Sequence, residues 1–183
     1  FRGTKDTLIG WKEDFHMTYI DHVPSQSRAA SYLQHVMEEF PKGRFLVAGH
    51  SKGGNLAAYA CSYLPDHLIE KVDAIYCYDA PGLNKAIIET EGYQRIAHLV
   101  HRFVPQGSIV GMMLEVPEPA TIVKSRAFGG FAQHDAFTWM VEKDGFVTLD
   151  QTSPDSQQTD QTLKQWVRET SADERQKFFD TFF

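Results

Sequence analysis

Ser51 sits in Gly49-His50-Ser51-Lys52-Gly53, and a serine framed this way can serve as a nucleophile. The apolar run Phe45–Ala48 precedes it, and an alanine-rich stretch, Asn55–Leu64, follows. A buried strand running through a tight turn into a helix lifts the serine Oγ above the sheet edge. A Cβ at Gly49 or Gly53 would collide there with the neighbouring strand or helix. The backbone N–H of Lys52 and the helix N-terminus then point at one place, and both favour negative charge. A bare Gly-x-Ser-x-Gly arises by chance in roughly one chain in twenty of this size, so the flanking elements carry the reading. The alternative is a turn that only packs tightly or holds a phosphate.

A serine hydroxyl needs a base at neutral pH, and histidine is the usual one. After an elbow of this kind the partners follow in the order serine, acid, histidine. Of eight histidines, His16, His22 and His35 come too early. His50 lies inside the elbow and is expected to point away from the serine's face. His67 follows the helix, and His98 and His101 fall in an expected strand. His134 stands on a late loop after Gly129-Gly130 and is the candidate base. Asp79, directly after the strand Lys71–Tyr78, is the candidate acid. Its other reading is a turn aspartate bonded to its own backbone before Pro81-Gly82. Asp135 adjoins His134 and is poorly placed to orient it; Asp144 and Asp150 are further candidates.

The elements that must position these groups alternate. A helix capped by Ser25 or Ser27 runs to about Phe40, and Pro41-Lys42-Gly43 breaks it. The strand Phe45–Ala48, the helix Asn55–Leu64 and the strand Lys71–Tyr78 follow. A short helix over Gly82–Glu91 leads to a third strand, Ile96–Val104. This order predicts an α/β fold with a mainly parallel sheet and covering helices. Ile109–Leu114 is a candidate pocket wall, as is the loop Phe128–Phe131. Ala120–Lys124 reads as a further strand, with short elements at Ala136–Val141 and Gly145–Leu149. From Ser153 the chain is polar and helical, and Ser171 with Glu174 forms a capping box.

The 183 residues, 42% hydrophobic, suffice for one domain with a sizeable core. A net charge of −6 with no basic block argues against nucleic acid and against an electrostatic membrane patch. No apolar run is long enough to span a membrane. Cys61 and Cys77 read as buried thiols of a reducing compartment, which points to the cytoplasm. The chain begins at Phe1 on what reads as the end of a strand. It is therefore expected to be a fragment of a longer protein whose earlier part completes the sheet.

Phe1-Arg2-Gly3-Thr4, followed by Trp11 and Asp14, joins Gly-His-Ser-Lys-Gly-Gly-Asn-Leu-Ala as a second signature. Together they resemble the class 3 (fungal-type) lipases. Val-Pro-Gln-x-Ser-x-Val-Gly and Gln-His-Asp-x-Phe-Thr-Trp add a likeness to a bacterial family of lipase-like hydrolases, from Phe1 to Trp139. The resemblance implies an α/β-hydrolase fold, with Thr4 and Lys52 supplying the oxyanion hole. It breaks at Ser108, which falls where class 3 lipases carry their acid. Either Asp79 takes over, or the site is a weak Ser-His dyad, or the fold serves another purpose.

The leading expectation is a serine esterase: Ser51 as nucleophile, His134 as base, Asp79 as acid, and Thr4 and Lys52 at the oxyanion. A small-molecule ester, with a lean to lipid or acyl esters, is the expected substrate. No metal or organic cofactor is implied, because no cluster has ligand spacing. The Lys52 cation is expected at the pocket mouth. The competing expectation is a non-catalytic binding or scaffold domain, separated from the first by whether a carboxylate reaches His134 Nδ1. Transfer to an acceptor other than water uses the same residues.

Overall fold

The computed structural model describes residues 1–3, 22–114 and 116–182. The first helix, α1 (Pro24–Glu39), leads to strand β1 (Phe45–His50), helix α2 (Lys52–Ser62) and the single turn α3 (Asp66–Ile69). Strand β2 (Val72–Tyr78) is followed by α4 (Lys85–Ile88) and α5 (Glu91–Ile96), then β3 (Val100–Pro105) and β4 (Ala120–Val123). Beyond these come α6 (Gly130–Gln133), the short strands β5 (Val141–Glu142), β6 (Gly145–Phe146) and β7 (Thr148–Leu149), and helices α7 (Pro154–Glu169) and α8 (Ala172–Phe182).

The main sheet has the order β1-β2-β3-β4-β7, with the first three pairings parallel and the last antiparallel. β5 and β6 form a separate hairpin. Parallel neighbours need crossovers, and α2 supplies the central one. Every residue of α2 is buried, which its small side chains permit. Its alanines pack between Leu33 and Met37 of α1 and Val47, Ile75 and Cys77 of the sheet. On the opposite face the strand alternation places His50, Tyr78 and Phe103, and Trp139 and Phe146 pack onto Tyr78 there.

Several boundaries differ from expectation for local reasons. α1 starts at Pro24, because Pro fits the first helical position and the Gln26 side chain accepts the Val23 N–H. α2 starts immediately after Ser51, three residues early. Two caps divide the region expected as one helix: Asn84 accepts from Ala86 N–H and Thr90 from Tyr93 N–H. Ile96 is thereby turned into the helical core, and β3 begins only at Val100. The Ser171–Glu174 capping box is present. Among the described residues no helix is long and apolar enough to cross a membrane.

Candidate active site

The paired ends of β1 and β2 are in register, His50 opposite Tyr78, so Ser51 and Asp79 are the first residues beyond two adjacent strands. Both take positive φ, 57° and 40°, a conformation non-glycine residues rarely adopt. Each costs on the order of 1–3 kcal/mol and survives only where the surroundings over-determine it. Here the backbone supplies the constraint. Ser51 N–H donates to Tyr78 O at 2.9 Å, and Asp79 N–H donates to Phe103 O at 2.7 Å. The turn closes through Gly54 N–H to Ser51 O, also 2.9 Å. A Cβ at Gly49 would lie 2.1 Å from the Gly53 carbonyl carbon, so the strand-to-helix approach needs glycine. At Gly53 the obstacle is not strand or helix but the Phe1–Gly3 segment, whose Phe1 O would be 2.4 Å from an added Cβ.

Asp79 is fully buried, and its carboxylate accepts three hydrogen bonds. Oδ2 lies 2.7 Å from His134 Nδ1. Oδ1 receives the Ser108 hydroxyl at 2.5 Å and the Gly111 N–H at 3.1 Å. Ser108 therefore does not replace a carboxylate beside the imidazole; it donates to one that arrives from the preceding strand. Its own carbonyl accepts from Ser156 Oγ, which docks the start of α7 on this loop. The other carboxylates stand elsewhere. Asp135 caps the turn at 136–138, and Asp144 and Asp150 are exposed.

His134 is held by its neighbours as well as by Asp79. The Gln133 side chain accepts from Gly107 N–H and donates to Ala127 O, and Trp139 Nε1–H donates to Gln133 O. His50 packs against His134. Its ring lies 4.6 Å from that of His134, centroid to centroid, with Nε2 2.7 Å from His134 O. Burial, and then the adjacent His134, push the His50 imidazole below its usual value. The unfolded chain thus binds more protons at this position, and stability rises with pH. On acidification below about pH 6.5 the melting temperature is expected to fall, more steeply in wild type than in His50→Gln. A pH series of thermal melts tests this; equal slopes would exclude His50 as a source.

Lys52 is buried, only 6% exposed, so its ammonium is not at a pocket mouth; its backbone N–H remains at the start of α2. Thr4 lies outside the described residues, as do His16, Trp11 and Asp14. Gly3 is described, and a Cβ there would lie 3.3 Å from Ser51 Cβ. The Phe1–Gly3 segment therefore reaches the candidate nucleophile. An apolar cavity of about 700 Å³ lies between Leu83, Met112–Leu114 and the helices carrying Trp166, Val167 and Phe178; Ser51, Asp79 and His134 do not line it. Of the stretch Ile109–Leu114, only Met112–Leu114 line it. Phe128 and Phe131 do not line this cavity and are 100% and 70% exposed.

Sequence reasoning passed over His50, Gln133 and Trp139 as supports. The two segments that carried the likeness, around Gln106–Gly111 and Gln133–Trp139, turn out to bind one another, so a signal was present.

The molecule is an α/β protein whose mostly parallel sheet, flanked by helices, carries a serine at a strand-to-helix elbow and, at the end of the adjacent strand, a buried aspartate bound to a partly exposed histidine. The chain belongs to the Mbeg1-like family, whose model matches residues 1–183. That family is lipase-like. No curated protein matches the chain.

Proposed function

We propose that this is a serine hydrolase of carboxylic esters on an α/β-hydrolase fold, acting through Ser51, His134 and Asp79. The observation that carries the reading is the 2.7 Å contact between Asp79 Oδ2 and His134 Nδ1 in a fully buried carboxylate. A carboxylate there accepts the Nδ1 proton and leaves Nε2 with its lone pair, which is the form a general base requires. His134 takes the Ser51 proton as Oγ attacks the acyl carbon, and the carbonyl oxygen becomes an oxyanion. The Lys52 N–H at the positive end of α2, with Thr4 as the second donor, stabilises that charge. Collapse of the adduct breaks the C–O bond to the alcohol, which leaves with the proton from His134. Water then repeats the sequence on the acyl-enzyme.

Labelling of the full chain with a fluorophosphonate, followed by mass-spectrometric mapping, tests the proposal without knowledge of the natural ester. A single adduct on Ser51 is expected. A folded protein that stays unlabelled, or labels at another residue, would remove the reading.

A further inference from the structure

We infer that His50 is a positioning residue for His134: it holds the main chain of the candidate base and so sets the separation of Ser51 and His134. The inference rests on the hydrolase reading above. His134 O can only accept, so His50 Nε2, 2.7 Å away, must carry the proton and donate. This assigns the Nε2–H tautomer to the neutral ring. His50 belongs rigidly to the end of β1, and the next residue is Ser51 itself. One covalent step from the candidate nucleophile, a side chain thus reaches across to the backbone of the candidate base.

Two further contacts make the link stiff. The His50 ring packs face-on to His134, tilted 36°, and Trp139 closes its edge at a centroid distance of 6.5 Å. Trp139 also anchors the preceding carbonyl, at Gln133. Consecutive carbonyls at 133 and 134 are therefore each held by a ring N–H. Asp79 orients the imidazole of His134 about its own bonds, whereas His50 and Trp139 fix where that imidazole is attached. A base displaced by about 1 Å from its partner loses on the order of a hundredfold in rate, so an anchor of this kind has a kinetic signature.

The test compares His50→Phe, which keeps a ring and loses the donor, with His50→Gln, whose amide nitrogen can occupy the place of Nε2. Inactivation of the full chain by a fluorophosphonate is followed at several concentrations, with a thermal melt of each variant. For His50→Phe the maximal inactivation rate is expected to fall by about a hundredfold while the half-saturating concentration stays put. His50→Gln should recover to within about tenfold of wild type. If His50→Phe does not fold, His50→Asn, whose amide is too short to reach the carbonyl, takes its place. A wild-type rate in the donor-free variant overturns the inference. So does a glutamine variant as slow as the phenylalanine one at equal melting temperature. A wild type that never labels removes the hydrolase reading and this role together; labelled wild type with an unaffected donor-free variant removes this role alone.

Discussion

Asp79→Asn is expected to slow acylation of Ser51 by about ten-thousand-fold, close to 5.5 kcal/mol of lost transition-state stabilisation. The size follows from the donors already in place. Ser108 Oγ–H and Gly111 N–H both point at the position of Oδ1. An asparagine must turn its oxygen to these two donors, because an amide NH₂ there would leave them facing another donor. Its NH₂ group then faces His134 Nδ1. That nitrogen is forced to accept, and the ring proton moves to Nε2, the atom that should take the serine proton. The variant thus loses both the negative charge that offsets the imidazolium and the tautomer that acts as base. Fluorophosphonate inactivation rates, or turnover of an activated ester, give the comparison once circular dichroism shows a folded variant. Retention of more than a tenth of the wild-type rate would mean that Asp79 is a turn aspartate and that the site runs without it.

Gly49→Ala carries the largest expected loss of stability. An added Cβ would meet Gly53 C and O at 2.1 Å and Gly54 N at 2.5 Å. All three are backbone atoms in the first turn of α2, so no side chain can swing aside. The helix would have to move off the sheet. Overpacking in a core usually costs about 1–3 kcal/mol, and a clash between two main chains belongs above that range, at about 4 kcal/mol or more. For a domain of this size the melting temperature should drop by about 10 °C or more, or the protein should become insoluble. Thermal unfolding and the soluble yield measure it. A variant that melts within about 2 °C of wild type would show that strand and helix are not in contact at this turn.

The same turn explains why it was legible in the sequence. Gly49 and Gly53 are demanded by contacts made within five residues of the serine or by one neighbouring segment, and such demands leave a mark at fixed spacing. The alternation of short apolar runs with helical stretches likewise announced a parallel sheet, although the first run is not buried on both faces: Leu46 is largely exposed. Boundaries were less legible. Asn84 and Thr90 each cap a short helix, and nothing in the periodicity of residues 82–99 says that Ile96 belongs to a helix end and not to a strand.

The amino-acid sequence by itself determined the α/β order, the elbow at Ser51 and the short choice of histidines and carboxylates, because these depend on local spacing and on which residues can be buried. Only the tertiary structure decided how those groups meet. Asp79 and His134 are 55 residues apart, and the carboxylate's other donors come from a loop 29 and 32 residues beyond it. His50 lies 84 residues before the carbonyl it holds. A buried carboxylate or imidazole is defined by the donors and acceptors that surround it, and these are assembled by strand register and loop packing, which no spacing along the chain records.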